Sequence, residues 1–266
     1  MATPYLFTFQ RFSFVIPLRA LGASLEDVAM DLPHPTPLIL GLGSAAAYVC
    51  LIALWPRGQR ARGGSHGFAH HVALCLYSLV AFSAALYHLA STGELLSLTA
   101  YACAPLPAWL RLISLTFTLS KIWEWGDTLV MLERGDSLSK IGFLHLYHHA
   151  TTFLLFLNIN NFAGTEKSGM LMNGFVHTLM YGHYAFRLPR VFRPFITAAQ
   201  VVQLASSTWL WHVTPQLCPA YASFHKEHPV EFLVPYLLVP VYLAFFLQFF
   251  YEQYVRVGKG KARKEQ

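Results

Sequence analysis

Charge is what this chain has least of. Only 12% of its 266 residues are Asp, Glu, Lys or Arg, against 55% hydrophobic ones, and the mean hydropathy is +0.42. A soluble domain carries about 25% charged residues, so this balance excludes that class and points to a polytopic membrane protein. Cysteine is scarce too: four residues exclude a disulfide-dense secreted scaffold. Acidic groups number 13 against 19 Lys and Arg, a net +6. In so apolar a chain that excess is read by where it falls, not as a nucleic-acid footprint. No repeat of 20–50 residues recurs, which excludes a solenoid, and the only biased tract is the tail Gly258–Gln266. Residues 1–35 hold Arg11, Arg19, Glu26, Asp27 and Asp31, leaving no apolar core for a signal peptide.

What is present is a succession of apolar runs. After the stop signal Pro33-His34-Pro35-Thr36-Pro37, seven segments reach the length that ~30 Å of hydrocarbon requires: 36–55, 68–92, 106–132, 142–162, 168–187, 195–214 and 229–255. The expected fold class is all-α. The expected organisation is a non-cytosolic leader over 1–35, a seven-helix domain over 36–255 and a basic cytosolic tail over 256–266. Orientation follows from the basic residues. Arg57, Arg60, Arg62, Arg134, Lys140, Arg187, Arg190, Arg193, Arg256, Lys259, Lys261, Arg263 and Lys264 all fall on one side, thirteen of nineteen, and the positive-inside rule makes that side cytosolic. Cys50 and Cys75 sit within segments. Cys103 and Cys218 fall in non-cytosolic loops, where a disulfide between them is permitted and free thiols are the alternative. The Arg263-Lys264 pair loosely resembles a retrieval signal for the endoplasmic reticulum.

Segments three to six carry polar residues, and polar groups at membrane depth face a protein interior or a cavity. Segment four opens Phe-Leu-His145-Leu-Tyr-His148-His149, whose imidazoles at i, i+3 and i+4 share one helical face. Burial there favours neutral imidazole. Segment three holds Lys121, Glu124 and Asp127 at i, i+3 and i+6, followed by Thr128. Either they knit helices together, or they line a polar cavity with Lys121 and Glu124 neutralising each other and Asp127 orienting a histidine. Asn173, His177, Tyr181 and Tyr184 recur on one face of segment five, and Thr197, Gln200 and Gln203 at i, i+3 and i+6 in segment six. The amides suit interhelical hydrogen bonding as well as site lining.

Clustered imidazoles with no plausible Ser or Cys nucleophile beside them suit acyl or proton transfer. Two alternatives compete. Membrane di-iron desaturases and hydroxylases use several His boxes, and His66-Gly-Phe-Ala-His70-His71 offers a second, but His177 and His183 do not supply a third. A seven-helix receptor would share the orientation and the Glu133-Arg134 pair, yet segment seven lacks Asn-Pro-x-x-Tyr.

Taken together the residues resemble the ELO family of very-long-chain fatty acid elongases. Lys121, Glu124, Asp127 and Thr128 match KxxExxDT; His145, His148 and His149 match HxxHH; Asn173, His177, Met180 and Tyr181 match NxxxHxxMY; Thr197, Gln200 and Gln203 match TxxQxxQ. The likeness runs from about residue 70 to 255, with one departure: His183-Tyr184 stands where the family usually has Tyr-Tyr. The resemblance implies seven helices, six of them a barrel of two inverted three-helix units around an acyl tunnel. It implies condensation of acyl-CoA with malonyl-CoA to 3-oxoacyl-CoA, CO2 and CoA, without a cofactor or metal. It implies His148 as nucleophile through an acyl-imidazole, His177 beside it, and His145, His149 and Asn173 as further site groups. Lys121, Glu124, Asp127, Thr128, Tyr181, Tyr184, Gln200 and Gln203 would line the substrate site, and Lys140, Arg187, Arg190 and Arg193 would meet CoA phosphates. Lys140, five residues before His145, leans toward saturated or monounsaturated substrates. The implied setting is the endoplasmic reticulum membrane. Implied partners are lipid, a 3-ketoacyl-CoA reductase, a 3-hydroxyacyl-CoA dehydratase and an enoyl-CoA reductase, with a homodimer compatible and nucleic acid excluded.

Overall fold

The computed structural model describes residues 13–15, 29–31, 36–56, 65–160 and 163–256. Most of the 1–35 leader, Arg57, Arg60, Arg62 and the tail from 257 lie outside the described residues. The chain is helical apart from one short antiparallel pair, Ser13–Val15 with Ala29–Asp31, which qualifies the all-α expectation.

The principal helices are α1 (Thr36–Leu54), α2 (Ser65–Ser91), α3 (Leu98–Cys103), α4 (Ala108–Trp123), α5 (Trp125–Glu133), α6 (Leu138–Ile141), α7 (Phe143–Ile159), α8 (Ala163–Ser168), α9 (Gly174–Phe186), α10 (Arg193–Leu217), α11 (Pro219–Glu227) and α12 (Pro229–Phe250). Proline opens α10, α11 and α12, where the N–H it lacks has no intrahelical partner to lose. The Ser97 side chain caps α3, taking the Ala100 N–H. A single π turn, Gly169–Asn173, leads into α9.

Among the described residues, three helices are long and apolar enough to cross a membrane: Thr36–Leu54, Gly67–Ser91 and Pro229–Arg256. The other expected segments are present as helix but fall short of that standard. Expected segment three breaks at Glu124 between α4 and α5, and α7 has 17 residues. The π turn divides segment five, and α10, with 25 residues, carries Thr197, Gln200 and Gln203 on its inner half. The polar residues that interrupt these helices are the ones that build the interior described below.

Packing neighbours run α2–α4, α4–α7, α7–α12, α12–α10, α10–α9 and α9–α2, so the succession closes on itself. Helix α1 packs on α7 and α5. Gly174 allows α9 to cross α2 closely: a Cβ there would stand 3.1 Å from the Ser78 carbonyl and the Phe82 nitrogen. Leu110, Phe117, Phe156, Met170, Trp211 and Tyr242 form the core between the helices.

One end of the assembly is tied by Cys103–Cys218, which are disulfide-bonded with Cα atoms 5.7 Å apart; Cys50 and Cys75 are free. Beside it Lys167 Nζ donates to Glu94 Oε2 at 2.5 Å and to the Ala104 carbonyl at 2.9 Å, joining the 94–104 stretch to α8. The neighbouring Glu166 is buried against the Ser114 hydroxyl, and burial pushes its carboxyl up to about 7.

Candidate active site

The histidine face of α7 is built as its spacing predicts. His145 and His149 lie ring to ring at 4.2 Å, and His148 stands 5.5 Å from His149. Each has different surroundings. His145 Nε2 is 2.9 Å from Thr128 Oγ1, which in turn is 2.8 Å from the hydroxyl of Tyr48 on α1. His149 is buried, its ring over Tyr48 and its carbonyl taking the Trp125 indole N–H at 3.1 Å. His148 has no hydrogen bond among the described residues; its ring packs 5.1 Å from Tyr242 and 6.2 Å from Phe246. It is the imidazole of the three left free to react.

The α4–α5 junction supplies the charged groups. Lys121 Nζ donates to Glu124 Oε1 at 2.6 Å and to Asn173 Oδ1 at 2.8 Å, between the rings of Phe117 and Phe156. Glu124 Oε1 also lies 3.3 Å from His177 Nδ1. A carboxylate at Nδ1 fixes the orientation of the ring, and the opposite nitrogen becomes the chemically available one. Because Lys121 takes the Asn173 carbonyl oxygen, the amide NH2 of Asn173 remains as a donor. Asp127 does hold a histidine, but from α2 and not from the box: His70 Nε2 is 2.9 Å from Oδ1, while Tyr181 donates to Oδ2 at 2.7 Å.

These groups surround one cavity of about 840 Å³. Glu124, His145, His148, His149, Asn173, His177, Met180, Tyr181, Tyr184, Thr197, Gln200 and Gln203 all line it, drawn from α5's leading edge, α7, α9 and α10. Lys121, Asp127 and Thr128 do not; they stand behind the wall and hold the groups that do. Of the four cations expected to meet phosphates, Arg193 and Lys140 line the cavity at the end where α7 and α10 begin, while Arg187 and Arg190 are exposed away from it. Lys140 is bonded to Asp136 one turn earlier. His183 also lines the cavity and accepts from Arg193 Nε at 3.2 Å, so the departure from the family pattern steers a cation. Beyond Asn173, Gln203 and Leu204 a second void of about 50 Å³ continues among Phe156, Leu210 and Trp211.

Sequence reasoning missed Tyr48, Tyr242, Phe246 and Tyr254, which come from helices without a polar motif. It noticed His70 and His71 only as a metal box, whereas both address Asp127. An aromatic in a membrane segment gives no sign of what it will touch.

Known proteins share this sequence pattern. The chain is 30% identical over 209 residues to "Fatty acid elongase A" of Dictyostelium discoideum, covering 74% of this chain and 76% of that one. It is 32% identical over 162 residues to "Very long chain fatty acid elongase 6" of Mus musculus (56% and 55% covered) and 31% over 159 residues to "Long chain fatty acid elongase 1" of Caenorhabditis elegans (54% and 52%). The matches thus span about half the length of those last two relatives. Residues 36–262 match the ELO: GNS1/SUR4 family, which takes in every helix of the closed succession, and the chain belongs to that family, the family of fatty acid elongases.

Proposed function

We propose that this acyltransferase joins a long-chain acyl-CoA to malonyl-CoA, giving a 3-oxoacyl-CoA two carbons longer, CO2 and CoA. The observation that carries the reading is that His148 and His177, from α7 and α9, line the same cavity. His148 attacks the acyl thioester. The imidazole nitrogen gains the acyl group, and the proton it gives up leaves with the CoA thiolate. His177, oriented by Glu124, receives the malonyl thioester carbonyl on its free nitrogen. Loss of CO2 leaves a carbanion, stabilised as an enolate by donors at the wall, of which the Asn173 amide is one. The carbanion attacks the acyl carbon, the bond to His148 breaks, and the imidazole recovers a proton. One proton is consumed per turnover.

Substrate placement follows the same geometry. CoA phosphates meet Arg193, held by His183, where α7 and α10 begin. The acyl tail runs past Gln203 and Leu204 toward Trp211. The closed succession of six helices, in which α2–α4–α7 is followed by α9–α10–α12 packed back in the reverse sense, supports a barrel of two inverted three-helix units with α1 outside. In this reading seven spans cross the endoplasmic reticulum membrane with the C-terminus cytosolic. Separate reductases and a dehydratase complete the cycle, and the enzyme needs neither metal nor cofactor.

Incubating purified protein with acyl-CoA alone should raise its intact mass by one acyl group, and His148→Ala should lose both the adduct and condensation while eluting as the wild type does. Turnover by His148→Ala, or an active wild type that forms no adduct, would remove His148 as nucleophile.

A further inference from the structure

Lys121 is committed to Glu124 and Asn173, so the buried Asp127 takes its partners from elsewhere. They come from α2. His70 Nε2 lies 2.9 Å from Oδ1 and His71 Nε2 3.6 Å from the same oxygen, while Oδ2 accepts the Tyr181 hydroxyl. His71, Asp127 and Tyr181 are all buried. The approach of His70 depends on Gly126, since a Cβ at that position would stand 3.0 Å from His70 Nδ1. The ring of His71 lies nearly parallel to that of Tyr181 at 6.1 Å, and Tyr181 meets the His177 ring edge-on at 5.4 Å. The contacts therefore run without a gap from two imidazoles of α2, through a carboxylate of α5, to a tyrosine and a cavity-lining histidine of α9.

A carboxylate removed from water is costly to ionise unless a cation accompanies it. Two imidazoles around one carboxylate oxygen supply such a cation by sharing a single proton, since a second would bring two positive rings within 5.5 Å of each other. Neither His70 nor His71 lines the cavity, so neither touches substrate.

We propose that His70 and His71 are positioning residues for condensation: their shared charge keeps Asp127 ionised, Asp127 holds Tyr181, and Tyr181 sets the plane of His177. This rests on the reading of His177 as part of the condensing site. The titratable and charged groups facing the pair are Asp127, Tyr181 and Tyr184, together with Arg134, whose guanidinium packs against Gly67 on the same helix. When rising pH strips the shared proton, the carboxylate loses its counter-charge and turnover falls, so the alkaline limb of the rate profile contains this ionisation.

The test uses the full-length purified protein, with acyl-CoA and labelled malonyl-CoA, across pH. Outer partners of this kind are worth roughly 10–100-fold. The variant His70→Gln/His71→Gln should lose that much in kcat, with KM for acyl-CoA moving less than about twofold and the alkaline limb flattened. Adding Asp127→Asn to it should recover thermal stability, by removing the stranded carboxylate, and should leave the limb flat. His71→Gln alone, at the longer 3.6 Å contact, is the milder variant should the double one not fold, and it should shift the same limb. A wild-type kcat and pH profile in either variant, or a loss confined to KM, overturns the proposal. Wild type and His148→Ala assayed alongside keep the two readings apart: an inactive wild type sinks the condensing reading, while an active wild type matched by the α2 variants sinks only this one.

Discussion

Lys121 Nζ and Glu124 Oε1 are 2.6 Å apart, with the lysine side chain 1% exposed and sealed between two phenyl rings. A pair in that setting is weak evidence for stability in itself, but breaking it is expensive, because the remaining charge stays buried. Lys121→Met should therefore cost about 3–5 kcal/mol of unfolding free energy, read as a fall in melting temperature in detergent. Lys121→Met/Glu124→Leu should recover most of that loss and none of the turnover, since His177 then has no carboxylate at Nδ1. Recovery of both together would show that the pair serves the fold alone.

Thr128 stands between α1 and the box, bonded to Tyr48 on one side and His145 on the other. Thr128→Val keeps the shape and removes both bonds. Its kcat should drop by about tenfold with KM little changed, while Tyr48→Phe, which leaves Thr128 on His145, should cost less. Steady-state kinetics on the two variants decides the order.

Leu204, Gln203 and Asn173 border both the large cavity and the void near Trp211. Leu204→Trp should close the passage and cut activity on the longest acyl-CoAs of a chain-length series while sparing the shortest. Trp211→Ala should shift the preference the other way. An unchanged profile in both would place the acyl tail elsewhere.

Glu166 lies outside the spanning segments, and burial raises its carboxyl from 4.5 to about 7. Between those values the folded protein holds a proton that the unfolded chain has released. Stability should thus decline as pH rises from about 4.5 to about 7 and level off above. Glu166→Gln, neutral throughout, should flatten that part of a melting-temperature scan.

Much of the site could be read from spacing. Asn173, His177 and Tyr181 sit four residues apart and do face one cavity, because helical periodicity fixes which side chains share a side. The helix bounds were equally legible: 36–55 was expected and Thr36–Leu54 is found. Partner choice was not. His70 meets Asp127 across 57 positions and Tyr48 meets Thr128 across 80, and periodicity names a face without naming what it will meet. Arg187 and Arg190 show the same limit: their charge placed them on the expected side of the membrane, but the turn after α9 carries them away from the cavity that Arg193 reaches. The break at Glu124 was invisible to hydropathy for a related reason, since the residue that interrupts the apolar run is held there by a lysine three positions earlier.

The wide turn at Gly169–Asn173 has a bearing on how this chain tolerates change. Such a turn is an α-helix with one surplus residue looped into it. Each residue advances a helix by about 100°, so excising any one of the five would rewind everything upstream against everything downstream by that angle. Asn173 would swing off Lys121, or His177 off Glu124, and no substitution elsewhere on α9 could bring both back. Length in this short stretch is inherited as strictly as the identity of the histidines themselves.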